Sequence, residues 1–243
     1  RFFLSTVPHF LDTDFSQNKQ NLNTFPAYTL FEYNKGGLTM IEVENLVKRY
    51  GNHLAVDHLS FQVEKGQIYG FLGPNGAGKS TTMNIMTGYI AASEGSVKID
   101  GHDILKEPEE AKKSIGYLPE IPPLYTDMTV GEYLQFVAEL KKVPKAERKE
   151  QISQAMQTVM IADKKNSLIK NLSKGYKQRV GLAQAILGNP EVIILDEPTV
   201  GLDPKQIIEI RELIKHLGKQ HTVILSSHIL SEVAAVCDKI MII

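Results

Sequence analysis

Residues 73–81 read Gly-Pro-Asn-Gly-Ala-Gly-Lys-Ser-Thr. The run matches Gly-x-x-x-x-Gly-Lys-[Ser/Thr], a phosphate-cradling P-loop whose setting is the turn between a buried strand and a helix. Both neighbours are present. Gln67-Ile68-Tyr69-Gly70-Phe71-Leu72 reads as the strand, and Ser80 to about Tyr89 as the helix. Gly73, Gly76 and Gly78 let the backbone curl so that its N–H groups turn toward phosphate oxygens. The helix N-terminus adds a positive dipole end. Lys79 is placed to neutralise β- and γ-phosphates and the Ser80 hydroxyl to ligate Mg²⁺.

A second stretch points to the same chemistry. Glu191-Val192-Ile193-Ile194-Leu195-Asp196-Glu197-Pro198 is a short β-branched run ending in two carboxylates. Such a run reads as a parallel strand buried on both faces. Ligands of parallel sheets sit beyond the carboxyl ends of the strands, so Asp196 and Glu197 are expected to emerge beside the phosphates. Asp196 suits Mg²⁺, directly or through water. Glu197 suits a general base or water-positioning group. Taken alone, the pair reads equally as two solvated acids at a strand end.

The chain has 243 residues, enough for one large domain or one domain with a small insertion. Its formal net charge of −1 argues against a nucleic-acid footprint, which would be basic. The sequence has no apolar run near the about 20 residues that span a bilayer, so membrane association is expected through a partner. Cys237 is the only cysteine, which excludes a disulfide framework and a cysteine metal site and suits a reducing, cytosolic setting.

Outward from the two motifs, residues 40–72 alternate as strands do, with turns at Gly51-Asn52 and Lys65-Gly66. Val97 to Gly101 reads as a further strand and turn. Residues 130–160 change to helical spacing (Tyr133, Phe136, Val137, Leu140, then Ile152, Met156, Val159), with Pro144 between two helices. Asp203-Pro204 reads as the N-cap and first residue of another helix. A strand at 222–225, a helix over 229–236 and a strand from Ile240 to Ile243 complete the pattern. The fold expected is an α/β P-loop domain. It has a mainly parallel sheet core, an antiparallel β-subdomain near its start and an inserted helical subdomain at about 126–185.

A third stretch, Leu172-Ser173-Lys174-Gly175-Tyr176-Lys177-Gln178-Arg179, precedes a helical run from Val180 to Leu187. Ser173 reads as an N-cap and Gly175 as a close-approach position, which makes a helix N-terminus able to receive an anion. An ordinary capped helix is the plainer reading of that stretch by itself.

With these three stretches in this order, the chain resembles the nucleotide-binding subunit of an ATP-binding cassette (ABC) transporter over residues 40–243. The resemblance implies a set of roles. Tyr50 falls where the family has an aromatic that stacks on adenine. Gly73, Pro74, Asn75, Gly76, Ala77, Gly78, Lys79, Ser80 and Thr81 form its Walker A loop around ATP. Glu120 falls at the Q-loop and, with Ser80 and Asp196, on Mg²⁺. Residues 192–197 match Walker B, Gly201-Leu202-Asp203 the D-loop, and His228 the switch histidine. Two chains would face head to tail, as a homodimer or with a paired cassette subunit. Ser173 and Gly175 of one would then reach the ATP held by Lys79 of the other, while Glu197 activates water.

The sequence departs from the family in two places. Glu120 replaces glutamine, and Lys174 and Tyr176 replace the glycine and glutamine of the usual Leu-Ser-Gly-Gly-Gln. These changes bear on rate and not on reaction type. Tyr117-Leu118-Pro119-Glu120 and the segment from Leu124 to Leu134 look like bacterial exporter subunits, including those assigned to sodium, drug and gliding-motility export. The expected protein is therefore an ATPase at the cytoplasmic face of the cell membrane, driving a separate membrane permease, with no nucleic-acid partner. The rival is a soluble cassette ATPase acting on nucleic acid or ribosomes. Long coiled coils or zinc cysteines, and paired cassettes in one chain, mark those proteins, and this sequence carries neither. A nucleotide-binding module without catalysis is a third reading, opposed by Glu197 and His228.

Residues 1–39 fall outside the resemblance. They are rich in phenylalanine and asparagine and have no period. Pro8, His9, Asp12 and Asp14 interrupt any signal-peptide core. A true extension and translated upstream DNA remain. The second is favoured because codons for Lys35-Gly36-Gly37 can contain a ribosome-binding sequence just ahead of Met40. The chain also stops inside its last predicted strand, so a C-terminal part is expected to be missing.

Overall fold

The computed structural model describes residues 38–243. Expectations for the leader therefore lie outside the described residues, apart from Leu38 and Thr39.

Two sheets share the molecule. The first is antiparallel: β1 (Thr39–Tyr50) pairs with β2 (His53–Glu64) on one side and with β4 (Glu94–Ile99) on the other, and β5 (His102–Asp103) closes the edge. The Gly51-Asn52 turn joins β1 to β2, setting Tyr50 opposite His53. The second sheet is parallel throughout. Its five strands run in the order β6 (Ile115–Leu118), β7 (Val192–Leu195), β8 (Thr222–Ser227), β3 (Ile68–Leu72), β9 (Lys239–Ile242). Parallel strands need long crossovers, and the helices that supply them cover the sheet faces.

Side-chain alternation along the central strands divides the core. Val192, Ile194 and Ile224 pack with Tyr69 and Phe71 against the antiparallel sheet. Ile193, Leu195, Val223 and Leu225 turn the other way, into the helices. Both faces are apolar, which is why these strands read as unbroken hydrophobic runs. Phe71 is fully buried at the seam, its ring centroid 5.1 Å from that of Phe61 and 5.8 Å from that of Tyr69. Phe71→Ala is expected to cost about 3–5 kcal/mol, read as a lower urea midpoint at unchanged slope.

The helical subdomain is α3 (Val130–Leu140), α4 (Lys145–Thr158) and α5 (Lys174–Ile186), with Pro144 capping α4. Thr129 and Glu132 start α3 with a reciprocal capping box. One of its helix boundaries, and two helices elsewhere, differ from the periodicity reading. The helix carrying the third motif starts at Lys174 and not at Val180, so Gly175 to Arg179 are helical, with Ser173 as the N-cap accepting from Tyr176 N–H. The helix after the P-loop, α1 (Lys79–Met86), ends early because the N–H groups of Tyr89 and Ile90 both turn back to Asn84 O. The predicted 229–236 helix is reduced to α7 (Leu230–Val233). The chain must there swing into β9, and Asp238 is held by Ile68 N–H at 2.8 Å. The short α2 (Pro108–Lys113) precedes β6, and α6 (Pro204–Leu217) begins as expected at Asp203-Pro204, where Asp203 Oδ1 accepts from Gln206 N–H at 2.9 Å.

Candidate active site

Strands β3, β7 and β8 all end on the same side, and their trailing segments meet there. A cavity of about 420 Å³ lies at this edge, between the P-loop and the β1–β2 hairpin.

Its floor is the P-loop. Gly78 sits at φ 93°, and a Cβ there would lie 2.4 Å from Ala55 O on β2, so only glycine permits this approach of loop to hairpin. Thr82 anchors the loop from behind through Gly78 O (2.9 Å). No side chain caps α1, so its first N–H groups are left for a ligand. Asn75, Gly76, Lys79, Ser80 and Thr81 line the cavity. Gly73, Pro74 and Ala77 do not, and they shape the loop instead. Lys79 is buried, and its Nζ donates to Gly73 O (2.7 Å) and Pro74 O (3.1 Å).

The wall opposite Lys79 comes from β7 and β8. Glu197 has φ 47°, a left-handed conformation that turns its carboxylate into the cavity. Its backbone is held there by Ser226 Oγ, which accepts from Glu197 N–H (2.8 Å) and donates to Asp196 Oδ1 (2.6 Å). Glu197 Oε2 lies 3.0 Å from His228 Nδ1, and Oε1 lies 3.4 Å from Lys79 Nζ. Oε1 is buried yet receives no hydrogen bond. A carboxylate oxygen in that state, facing an uncapped helix N-terminus, fits a site that takes a phosphate group and an attacking water. Asp196 departs from expectation. It is 3% exposed and does not line the cavity, lying one layer behind Glu197.

The remaining lining residues come from far apart in the chain. Tyr50, half exposed, and Glu120 both reach the cavity, as expected. His53, Ala55 and Val200 also line it and were not singled out from the sequence. For His53 the signal was available: a two-residue turn places it across from Tyr50. Among the described residues, no cluster of three or more His, Cys, Asp or Glu side chains is placed to hold a metal by itself. Ser80 and Glu120 at the cavity, with Asp196 behind, suit a cation that takes its other ligands from phosphate and water, as Mg²⁺ does.

Ser173, Gly175 and Asp203 are not part of this cavity. Asp203 and Gly175 meet at Gln206 instead. Asp203 accepts from its N–H, and a Cβ on Gly175 would lie 2.6 Å from its Oε1. Lys174 lies across Gly201, its Nζ so close that a Cβ at 201 would collide with it. Arg179 fixes this cluster from within, donating to Val159 O (3.0 Å) and pairing with Glu209 of α6. The residues singled out from the sequence thus fall in two separate places.

Comparison with known proteins agrees with this geometry. The family model described as ABC transporter matches residues 56–200. An uncharacterized ABC transporter ATP-binding protein of Bacillus subtilis, YhcH, is 42% identical over 207 residues, covering 84% of this chain and 67% of that protein. The bacitracin transport ATP-binding protein BcrA of Bacillus licheniformis is 41% identical with the same coverage. The chain thus spans about two thirds of the length of these relatives. A solved ATP binding subunit of an ABC transporter superposes with a TM-score of 0.76 at 31% identity, over 84% of this chain and 86% of that one. CbiO1 of Clostridium perfringens, part of the transporter complex cbiONQ, gives 0.76 at 30% identity, with 84% of each chain covered. The chain therefore belongs to the ABC transporter family, as one of its ATP-binding subunits and a transport ATPase.

Proposed function

We propose that two such chains work head to tail, each ATP held by the P-loop of one and closed over by Ser173 and Gly175 of the other, to drive export through a separate membrane permease. The observation that carries this reading is the division of the expected site residues between two places. The cavity contains Lys79, Ser80, Glu197 and His228, but none of Ser173, Gly175 or Asp203. A second chain turned end for end brings the two sets together.

Within that arrangement the residues divide the work. The N–H groups at the start of α1 and the Lys79 ammonium bind the phosphates. Tyr50 offers a half-exposed ring face for the base. Ser80 and Glu120, with Asp196 through water, hold Mg²⁺, which when bound neutralises charge on the phosphate oxygens. Glu197 takes a proton from the attacking water at Oε1, which accepts no hydrogen bond in this structure, and His228 holds the carboxylate through Oε2. Binding of phosphate draws Lys79 away from Glu197 and frees that oxygen.

Export is favoured by the names of two relatives, a bacitracin transport protein and a linearmycin resistance protein of Bacillus subtilis. No helix among the described residues is long and apolar enough to cross a membrane. The chain accordingly acts at the cytoplasmic face, where ATP is, docked on the permease. The shared site is tested by mixing. Lys79→Ala and Ser173→Arg chains are each expected to be inactive. Mixed, they form heterodimers with one intact composite site and recover a measurable fraction of turnover. Inactivity of the mixture, with heterodimers shown to form, would overturn the head-to-tail arrangement.

A further inference from the structure

Outside the groups already assigned, one buried carboxylate among the described residues has an arrangement that asks for a purpose. Glu232, in the four-residue helix α7, is only 6% exposed. Its Oε2 accepts two hydroxyl protons, from Thr199 Oγ1 at 2.7 Å and from Ser227 Oγ at 2.8 Å. Both donors are buried as well. Thr199 follows Glu197 by two residues and precedes Val200, which lines the cavity. Ser227 directly precedes His228.

Burying a carboxylate is expensive unless its hydrogen bonds return the cost, and an apolar residue of similar size is commonly as stable or more so. Stability alone therefore gives a weak reason for glutamate at 232. Geometry gives a stronger one. His228 touches Glu197 across the cavity at 3.0 Å. Glu232 joins the same two segments a second time from behind, through Thr199 and Ser227. The result is a closed ring: Glu197 to His228 at the cavity, Ser227 and Thr199 to Glu232 inside.

The two serines at the end of β8 divide this task. Ser226 Oγ turns to Asp196 and Glu197 N–H, while Ser227 Oγ turns to Glu232 and also accepts from Ile229 N–H at 3.1 Å. The backbone on both sides of His228 is thereby fixed. Neighbouring residues 201–206 carry the contacts to Lys174 and Gly175. The ring thus also links the catalytic pair to the surface facing a second chain.

We propose that Glu232 is a positioning residue for ATP hydrolysis, setting the His228–Glu197 pair by tying Thr199 to Ser227. This rests on the roles given above to Glu197 and His228. It does not touch nucleotide.

The test uses the full chain and separates binding from turnover. Glu232→Leu removes the shared acceptor and leaves two buried hydroxyls unpaired. Turnover is expected to fall about 10- to 100-fold, the scale of a misplaced catalytic group. Affinity for a fluorescent ATP analogue should stay within about threefold, because the P-loop is untouched. Glu232→Gln keeps an oxygen able to accept both protons and should recover most of the lost turnover. Thr199→Val removes one hydroxyl with little change of shape, and should lower turnover by several-fold even if the leucine variant folds poorly. The deciding readout is the combination with His228→Ala. If Glu232 acts through the histidine pair, adding Glu232→Leu to His228→Ala should cost less than about threefold more. Multiplying losses would mean a general structural role and overturn the proposal, as would wild-type turnover in both Glu232→Leu and Thr199→Val. Full activity in His228→Ala and Glu197→Gln themselves would instead refute the reading on which the proposal rests.

Discussion

Glu197→Gln is expected to bind ATP with nearly unchanged affinity and to lose about 100- to 10,000-fold in turnover, the range for removal of a general base. The substitution keeps the side chain's volume and one acceptor oxygen, so the left-handed turn at residue 197 and its bond to Ser226 can persist. What disappears is the basic oxygen that accepts no hydrogen bond. The charge facing Lys79 and His228 also goes. Lys79 then loses a competitor for its ammonium, and affinity can rise slightly. Paired measurement of analogue affinity and steady-state hydrolysis distinguishes this from damage to the fold. Hydrolysis near the wild-type rate would remove Glu197 from the role of base.

Lys79→Ala is expected to act earlier, on binding itself. The ammonium is buried and held by two loop carbonyls, Gly73 O and Pro74 O. It is thus set at the mouth of the loop before nucleotide arrives. Charge-assisted hydrogen bonds contribute about 1.5–3 kcal/mol each. Losing contacts to two phosphates should therefore weaken ATP binding by roughly 100-fold or more. The same change leaves the two carbonyls unpaired and Glu197 without its cation, so some loss of stability accompanies it. Equilibrium binding of ATP and thermal unfolding without nucleotide separate the two effects. Tight binding in a folded Lys79→Ala chain would rule out the phosphate role.

Much of the catalytic cavity was readable because its parts are local. The P-loop lies between a strand and a helix in continuous sequence, and Glu197 follows directly on a buried strand. Tyr50, Glu120 and His228, which line the cavity, were singled out only through the family resemblance, since no period or spacing brings them to Lys79. Asp196 shows the limit of local reasoning. The left-handed backbone at Glu197 sends one carboxylate to the cavity, while Asp196 stays in the interior, where Ser226 holds it. Glu232 was invisible. In a helical pattern such as Leu230-Ser231-Glu232-Val233 a glutamate reads as a solvated face, and its partners lie 5 and 33 residues away.

The sequence by itself determined the fold class, the phosphate loop, the pair of carboxylates that follows β7 and the helical insertion. Each is written in contiguous residues or in a repeating apolar pattern, which follows from backbone geometry alone. The tertiary structure decided where helices stop, which side of the sheet each carboxylate faces, and which groups share a cavity. Those outcomes depend on hydrogen bonds between segments distant in the chain, as when Asp238 takes Ile68 N–H and α7 ends short. Such bonds form only once the parallel strands have set their neighbours side by side, and local sequence carries no record of them.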